Sequence, residues 1–172
     1  MTEPVMVALR NRVGQEIGTS PWLTIDQARI DAFAAATLDP DPMHVDPAWC
    51  EANSPFRSTI AFGFLTVSLL TYFSHQALGW LSSSTVETGG YALNYGFNRL
   101  RLVEPVPVGS RIRARFTLLD WQEVRPGEMR STFGVTVDIE GVERPALVAE
   151  WLGLWVTEPG HRRLAARRGG GA

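Results

Sequence analysis

The residues best suited to chemistry lie in one short segment, Thr37-Leu38-Asp39-Pro40-Asp41-Pro42-Met43-His44. It carries a carboxylate, Asp39, and an imidazole, His44, five positions apart on a stretch that two prolines stiffen. Fully extended, this separation would be about 16 Å, so joint action on one water requires the segment to curl back. Such a pair could take a proton from water and protonate a neighbouring carbon, as the addition of water to an activated double bond requires. The alternative is a plain turn with a solvated histidine, because Asp-Pro pairs are common in turns and N-caps.

A second candidate element is Ile60-Ala61-Phe62-Gly63, at the predicted start of an apolar helix. Backbone N–H groups at a helix N-terminus bind developing negative charge, and a glycine there lets a ligand approach closely. The Gly63 amide could therefore hold a carbonyl oxygen that becomes an oxyanion. The alternative is that Gly63 only permits tight packing.

Helices must position both elements. The capping-box spacing of Thr24 and Gln27 predicts a helix that starts there and stops before Asp39-Pro40. Asp46-Pro47 predicts the start of a short helix, with the aspartate as N-cap. A long helix from about 59 to 79 is apolar nearly all round, which predicts burial on most sides.

The rest of the chain predicts strands. The segment 111–118 alternates between apolar residues and arginines. On the other side of a Pro126-Gly127 turn, 132–139 alternates between apolar residues and threonine or aspartate. The last strand, 147–156, is apolar on both faces and should be central or at an interface. The segment 92–106 changes its alternation phase near Asn98, which predicts a bulge or a sharp bend. A long helix enclosed by an antiparallel sheet is the hot-dog arrangement, so we predict an α+β fold.

Length and composition predict one domain. The chain has 172 residues and a net charge of −2, so one hot-dog domain over 1–157 is expected and nucleic acid is not an expected partner. Residues 158–172 are rich in arginine and glycine and predict a flexible tail. All sixteen basic residues are arginines, which excludes mechanisms that need a lysine.

The same composition predicts a cytoplasmic protein. The N-terminus shows no signal-peptide pattern, and the apolar run 60–73 is too short for a membrane span. A single cysteine, Cys50, excludes an intrachain disulfide and is expected to be a packed thiol. Three scattered histidines show no metal-ligand spacing, so no metal is expected.

Taken together, these segments resemble a known family. RIDAFAAATLDPDPMHVD followed by SPFRSTIAFGFLTVSLL is similar to the MaoC-like dehydratases, also called (R)-specific enoyl-CoA hydratases or hydratase 2. LNYGFNRLRLVEPVPVGSRIRAR and PALVAEWL resemble the nodulation-protein-N-like branch of that family. The resemblance covers about residues 15–157.

The resemblance implies a hydro-lyase that interconverts a trans-2-enoyl thioester and a 3-hydroxyacyl thioester. The family's catalytic aspartate and histidine match Asp39 and His44, and its Ile-Ala-His-Gly motif matches 60–63, with the Gly63 amide as oxyanion donor. The acyl group would be carried on coenzyme A or an acyl-carrier protein as substrate, without a further cofactor. The family also implies a homodimer whose sheets join side by side, with the substrate entering near the subunit interface.

The sequence departs from the family pattern at three places. Leu38 replaces a glycine, Pro40-Asp41-Pro42 replaces a segment that usually carries Asn-Pro or Gln-Trp, and Phe62 replaces a histidine. We therefore treat Asp41 and Phe62 as candidate substrate contacts, together with Tyr95 and Arg99. Tyr95 could instead belong to the core, and Arg99 to the solvated face of a strand.

Two other functions remain possible on the same fold. A thioesterase would direct water to the carbonyl carbon rather than to C3, and the spacing of Asp39 and His44 argues for the hydratase. A non-catalytic subunit that binds acyl thioesters is favoured only by the unusual Pro40-Asp41-Pro42 loop.

Overall fold

A six-stranded antiparallel sheet forms the frame of the protein in the computed structural model, which describes residues 11–79 and 90–160. Its strands are β1 (Glu16–Thr19), β2 (Leu23–Thr24), β3 (Gly90–Leu102), β4 (Arg111–Arg125), β5 (Glu128–Ile139) and β6 (Leu147–Thr157). The order across the sheet is β1-β4-β5-β6-β3, and β2 also pairs with β4. The predicted α+β class is therefore confirmed, and β6 is internal to the sheet as its two apolar faces indicate.

Five helices in the described part of the chain lie between β2 and β3. They are α1 (Gln27–Thr37), α2 (Pro42–Val45), α3 (Pro47–Asn53), α4 (Gly63–Ser68) and α5 (Leu70–Leu78). Helix α5 packs against β1 and β4, so it lies on the inner face of the sheet. The short helices α2 and α3 each begin at an Asp-Pro pair, with the aspartate as N-cap and the proline as the first helical residue.

The core lies between the helices and the inner face of the sheet. Alternate side chains of β4 and β5 are buried there, as their pattern predicts: Ile112, Ala114, Phe116, Leu118, Phe133, Val135, Val137 and Ile139. From the helical side, Leu70 and Phe73 of α5 are also fully buried in this cluster. Burial of side chains of this size stabilises the fold by about 1.5–3 kcal/mol each.

The long apolar helix is divided and starts later than predicted. Residues 59–61 are extended, because Ala61 N–H donates to the Val106 carbonyl and Val108 N–H donates to the Thr59 carbonyl. The helix begins at Gly63, and α4 and α5 meet at Leu69. It is not enclosed on all sides either, since Phe64 is 74% exposed.

Two further predictions from the sequence concern the start of α1 and the course of β3, and the structure corrects the first and confirms the second. Asp26, and not Thr24, caps α1, because its carboxylate accepts from Arg29 N–H and the extended β2 occupies Thr24. The predicted irregularity near Asn98 is confirmed, since the pairing of β3 with β6 shifts between Asn94 and Gly96 and again between Phe97 and Arg99.

No helix among the described residues is long and apolar enough to cross a membrane. Most of the predicted tail, residues 161–172, lies outside the described residues.

Candidate active site

The segment that carries Asp39 starts from a left-handed helix end. Leu38 caps α1 with φ 60° and ψ 32°, a conformation that glycine adopts most easily. The N–H groups of Leu38 and Asp39 both donate to the Ala34 carbonyl. This cap turns the chain sharply, so that Asp39 borders an open groove of about 480 Å³ beside Ala34 and Val45.

The loop then curls back, as joint action on one water requires. The Asp39 carboxylate accepts from Asp41 N–H at 3.2 Å, and the Asp41 carboxylate caps α2 by accepting from Met43 N–H at 2.8 Å. His44 lies in α2, where the helical rise is only about 1.5 Å per residue. The Asp-Pro pairs therefore act as turn and cap formers and also bring the two candidate side chains to consecutive turns of the chain.

The environment of His44 fixes its tautomer. Its Nδ1 lies 2.7 Å from the Ile60 carbonyl oxygen, which accepts hydrogen bonds and cannot donate them. We therefore assign the proton of the neutral ring to Nδ1, which leaves the Nε2 lone pair to accept a proton. The imidazole also lies against Phe62, with ring centroids 3.8 Å apart and planes inclined by 33°.

Gly63 is the first residue of α4, and its N–H forms no hydrogen bond to any of the described residues. The preceding residue, Phe62, provides no side-chain cap either. A Cβ at Gly63 would overlap the Leu102 side chain, so close approach between α4 and β3 favours glycine here. An uncapped N–H at this position suits a developing oxyanion.

Among these predicted residues, the structure shows a direct side-chain contact between His44 and Phe62. His44 stacks on Phe62, which precedes Gly63, while Asp39 lies in the loop just before α2. Phe62 is buried and also packs on Phe33 of α1, at 5.3 Å between ring centroids. Phe62 is therefore an apolar support for the His44 ring.

Two of the other candidates, Tyr95 and Arg99, lie elsewhere, on β3. Tyr95 is 59% exposed on β3, beside an open groove of about 520 Å³ that separates β3 from the ends of α4 and α5. Arg99 pairs with Glu150 at 3.8 Å on the sheet face opposite the core, since neighbouring Ala149 and Trp151 of β6 point inward. Asp41 caps α2, as described above.

Two polar groups beneath the loop complete the local structure. Cys50 is fully buried as predicted, and its thiol donates towards the Pro42 and Met43 carbonyls at 3.4 Å. Burial raises the pKa of this thiol, and the nearby carboxylates of Asp46 and Asp41 add to the effect.

The sequence did not predict the contact of Gln27 with the site. Its side-chain amide donates a hydrogen bond to the His44 carbonyl, whereas the sequence pattern assigned Gln27 to a capping box. Among residues 11–79 and 90–160, no three His, Cys, Asp or Glu side chains cluster as metal ligands would.

An antiparallel sheet on a central helix, with an aspartate and a histidine on a curled loop, defines a hot-dog protein of the dehydratase type. The sequence model for the MaoC like domain matches residues 8–139, so the chain belongs to this family. The predicted family and fold are thereby confirmed.

Relatives of this chain include curated proteins and solved structures. Nodulation protein N of Rhizobium meliloti (strain 1021) is 43% identical over 153 residues, which cover 89% of this chain and 92% of the relative. The 3-hydroxyacyl-thioester dehydratase Z of Mycobacterium tuberculosis (strain ATCC 25618 / H37Rv) is 42% identical over 137 residues, 80% of this chain and 86% of the relative. A monoamine oxidase regulatory protein from Archaeoglobus fulgius has a similar structure, with a TM-score of 0.71 and 25% identity, over 86% of this chain and 92% of its own. The (R)-hydratase from A. caviae matches with a TM-score of 0.63 and 24% identity, over 81% of this chain and 96% of its own, and shows the fold.

Proposed function

We propose that this protein catalyses the reversible hydration of a trans-2-enoyl thioester to a 3-hydroxyacyl thioester, with Asp39 and His44 as its catalytic pair. The observation that carries the assignment to these residues is the hydrogen bond from His44 Nδ1–H to the Ile60 carbonyl, which leaves Nε2 to act as a base. The hydrogen bond from Asp41 N–H to the Asp39 carboxylate curls the loop that precedes His44. The class of activity that the sequence predicts, a hydro-lyase for such thioesters, is confirmed by the 42% identical 3-hydroxyacyl-thioester dehydratase.

The chemistry follows from the roles that these groups suit. In the hydration direction, Asp39 and His44 bind one water, and its proton passes to this pair as its oxygen forms a bond to C3 of the enoyl group. The π electrons move towards the thioester carbonyl, whose oxygen becomes an enolate oxygen. A proton then returns from the pair to C2, and the product is the 3-hydroxyacyl thioester. Dehydration runs through the same steps in reverse.

The Gly63 N–H is the proposed donor to the thioester oxygen. That oxygen gains charge only as the enolate forms, so a donor aimed at it stabilises the transition state more than the bound substrate. This role is supported by two observations: the Gly63 N–H has no hydrogen-bond partner among the described residues, and Phe62 provides no side-chain cap. No metal or dissociable cofactor takes part in this proposal, so added chelator should leave turnover unchanged.

We also propose that the working unit is a cytoplasmic homodimer joined through β3. This strand lies at one edge of the sheet in the described part of the chain, and an edge strand is where a sheet commonly pairs with a strand of another chain. It carries large apolar side chains that are exposed in the single chain, among them Leu93, Tyr95 and Phe97. Light scattering should give twice the chain mass at micromolar concentration, and a monomer would contradict this assembly.

The direct test of the function uses a short trans-2-enoyl-CoA and the purified protein. Hydration removes the conjugated double bond, so the ultraviolet absorbance of the enoyl thioester should fall to an equilibrium value. In the reverse assay, which starts from 3-hydroxyacyl-CoA, the same absorbance should rise as the enoyl thioester forms. A thiol reagent in a parallel assay detects free coenzyme A. Release of coenzyme A without formation of the 3-hydroxyacyl product would identify a thioesterase. Binding without either reaction would identify a non-catalytic acyl-thioester subunit.

A further inference from the structure

We infer that Gln27 is a positioning residue for the catalytic pair: its side-chain amide locks the His44 segment to the Thr59-Ile60 segment that orients the imidazole. The inference deepens the proposed function and, for its kinetic part, rests on it. Gln27 is the first residue of α1 and belongs to neither of the two motifs that carry the chemistry.

The Gln27 amide uses all of its N–H groups. One Nε2–H donates to the His44 carbonyl at 2.8 Å, and the other donates to the Asp31 carboxylate, also at 2.8 Å. The amide oxygen accepts from the Thr59 hydroxyl at 2.5 Å. Gln27 therefore joins residues that lie 17 and 32 positions away in the chain.

These partners also fix which way the amide points. A flipped Gln27 would turn its oxygen towards the His44 carbonyl and the Asp31 carboxylate, and neither can donate a hydrogen bond. The observed orientation is the only one that satisfies both acceptors. Thr59 is 1% exposed, so its hydroxyl depends on Gln27 for its acceptor and no water can readily replace it.

The contacts close a ring around His44. Its carbonyl is held by Gln27, and its ring Nδ1–H is held by the Ile60 carbonyl, one residue beyond Thr59. Ile60 N–H also donates to the Met43 carbonyl at 3.2 Å. Helix α2 has only four residues, so its carbonyl groups have few partners within the helix, and Gln27 supplies one.

Because of these contacts, Gln27 affects the position of the His44 ring and not only the stability of the fold. Loss of the amide frees the main chain of His44 on one side and the Thr59 hydroxyl on the other. The imidazole can then leave the Ile60 carbonyl, and Nε2 moves away from the position that the proposed mechanism requires of it. A misplacement of about 1 Å in a catalytic group can lower the rate about 100-fold.

The first arm of the test is kinetic and uses a matched control on the same helix. Gln27→Met keeps the length of the side chain without its hydrogen bonds, and Gln27→Glu places a carboxylate against two acceptors. Asp26→Ala removes the N-cap of α1, which is a structural bond at the same helix end that does not touch His44.

We expect Gln27→Met to lower kcat for a short enoyl-CoA about 10- to 100-fold with KM within about twofold, and Gln27→Glu to lower it further. Asp26→Ala should lower Tm by about 2–4 °C but leave kcat within about twofold of the parent. A parental kcat for Gln27→Met, or equal kcat losses in Gln27→Met and Asp26→Ala, would overturn the inference.

The second arm does not depend on turnover. Long-range ¹H–¹⁵N NMR of the histidine ring distinguishes the Nδ1–H tautomer from the Nε2–H tautomer. The parent and Asp26→Ala should show neutral His44 with the proton on Nδ1, and Gln27→Met should show a mixture of tautomers. An unchanged tautomer in Gln27→Met would overturn the inference even if the enzyme assay failed. If the parent shows no hydration while the tautomer changes as expected, the proposed function fails and the positioning of His44 by Gln27 stands.

Discussion

Replacement of Leu38 by glycine tests whether the turn before Asp39 depends on a strained left-handed backbone at residue 38. Leu38 adopts φ 60° and ψ 32° at the end of α1, and its side chain is 88% exposed in the single chain. A left-handed conformation costs an ordinary L-residue about 1–2 kcal/mol, and glycine avoids this cost. Glycine also loses more conformational entropy on folding, by about 0.5–1 kcal/mol. The net expectation is that Leu38→Gly raises the free energy of unfolding by about 0.5–1 kcal/mol.

Leu38→Ala is the matched control, because it removes the same side-chain contacts but keeps the left-handed strain. For a chain of this size, 1 kcal/mol corresponds to about 2–4 °C in Tm. Thermal and urea unfolding at one protein concentration should therefore place Leu38→Gly about 1–4 °C above Leu38→Ala, with activity preserved in both. A Leu38→Gly protein less stable than Leu38→Ala would refute the reasoning, because strain at this residue could then not be a significant cost.

Two other predictions concern a buried thiol under the loop and the packing of β1 against α5. Cys50 should not react with a thiol reagent at neutral pH in the native state, because its side chain is buried and burial raises the pKa of its thiol. It should react once the protein is denatured. Rapid labelling of the native protein would contradict the placement of Cys50 under the loop. Gly18→Ala should lower the free energy of unfolding by about 1–3 kcal/mol in urea titration, because the new Cβ would lie 2.7 Å from the Ala77 carbonyl oxygen. An unchanged unfolding midpoint would show that β1 and α5 do not pack as described.

The strands were the most predictable part of the fold. Ile112, Ala114 and Phe116 alternate with arginines along β4, and a period of two is sufficient to assign both the element and its buried face. The Pro126-Gly127 turn and the cap at Asp46-Pro47 were equally clear, because each depends on residues adjacent in sequence.

Features that depend on distant contacts were less predictable. The start of the long helix was misplaced because Thr59 and Ala61 pair with residues near 107, a tertiary contact that the apolar pattern does not reveal. The same limit applies to Gln27, whose partners lie 17 and 32 residues away. Its local spacing to Thr24 favoured a capping box, and the tertiary hydrogen bonds prevailed.

The candidate pair itself came from the resemblance more than from spacing. A separation of five positions between Asp39 and His44 suits an ordinary turn equally well, and only the family motif distinguished the two interpretations. Other features of the site arise only in the folded chain, so the sequence pattern did not reveal them. They are the curl of the loop, the contact of His44 with Ile60 and the stacking of His44 on Phe62.

The central claim is that Asp39 and His44 act as a unit on one water, and the most direct test is a double-mutant cycle on enoyl-CoA hydration. Asp39→Asn and His44→Ala should each lower kcat by about 10²- to 10⁴-fold, equivalent to about 3–5 kcal/mol of transition-state stabilisation. The double variant should be little worse than either single variant. Asp41→Asn is the matched control, because asparagine caps a helix as well as aspartate and should preserve turnover. Folded Asp39→Asn protein that hydrates at the parental rate, or loss of turnover from Asp41→Asn alone, would contradict the account.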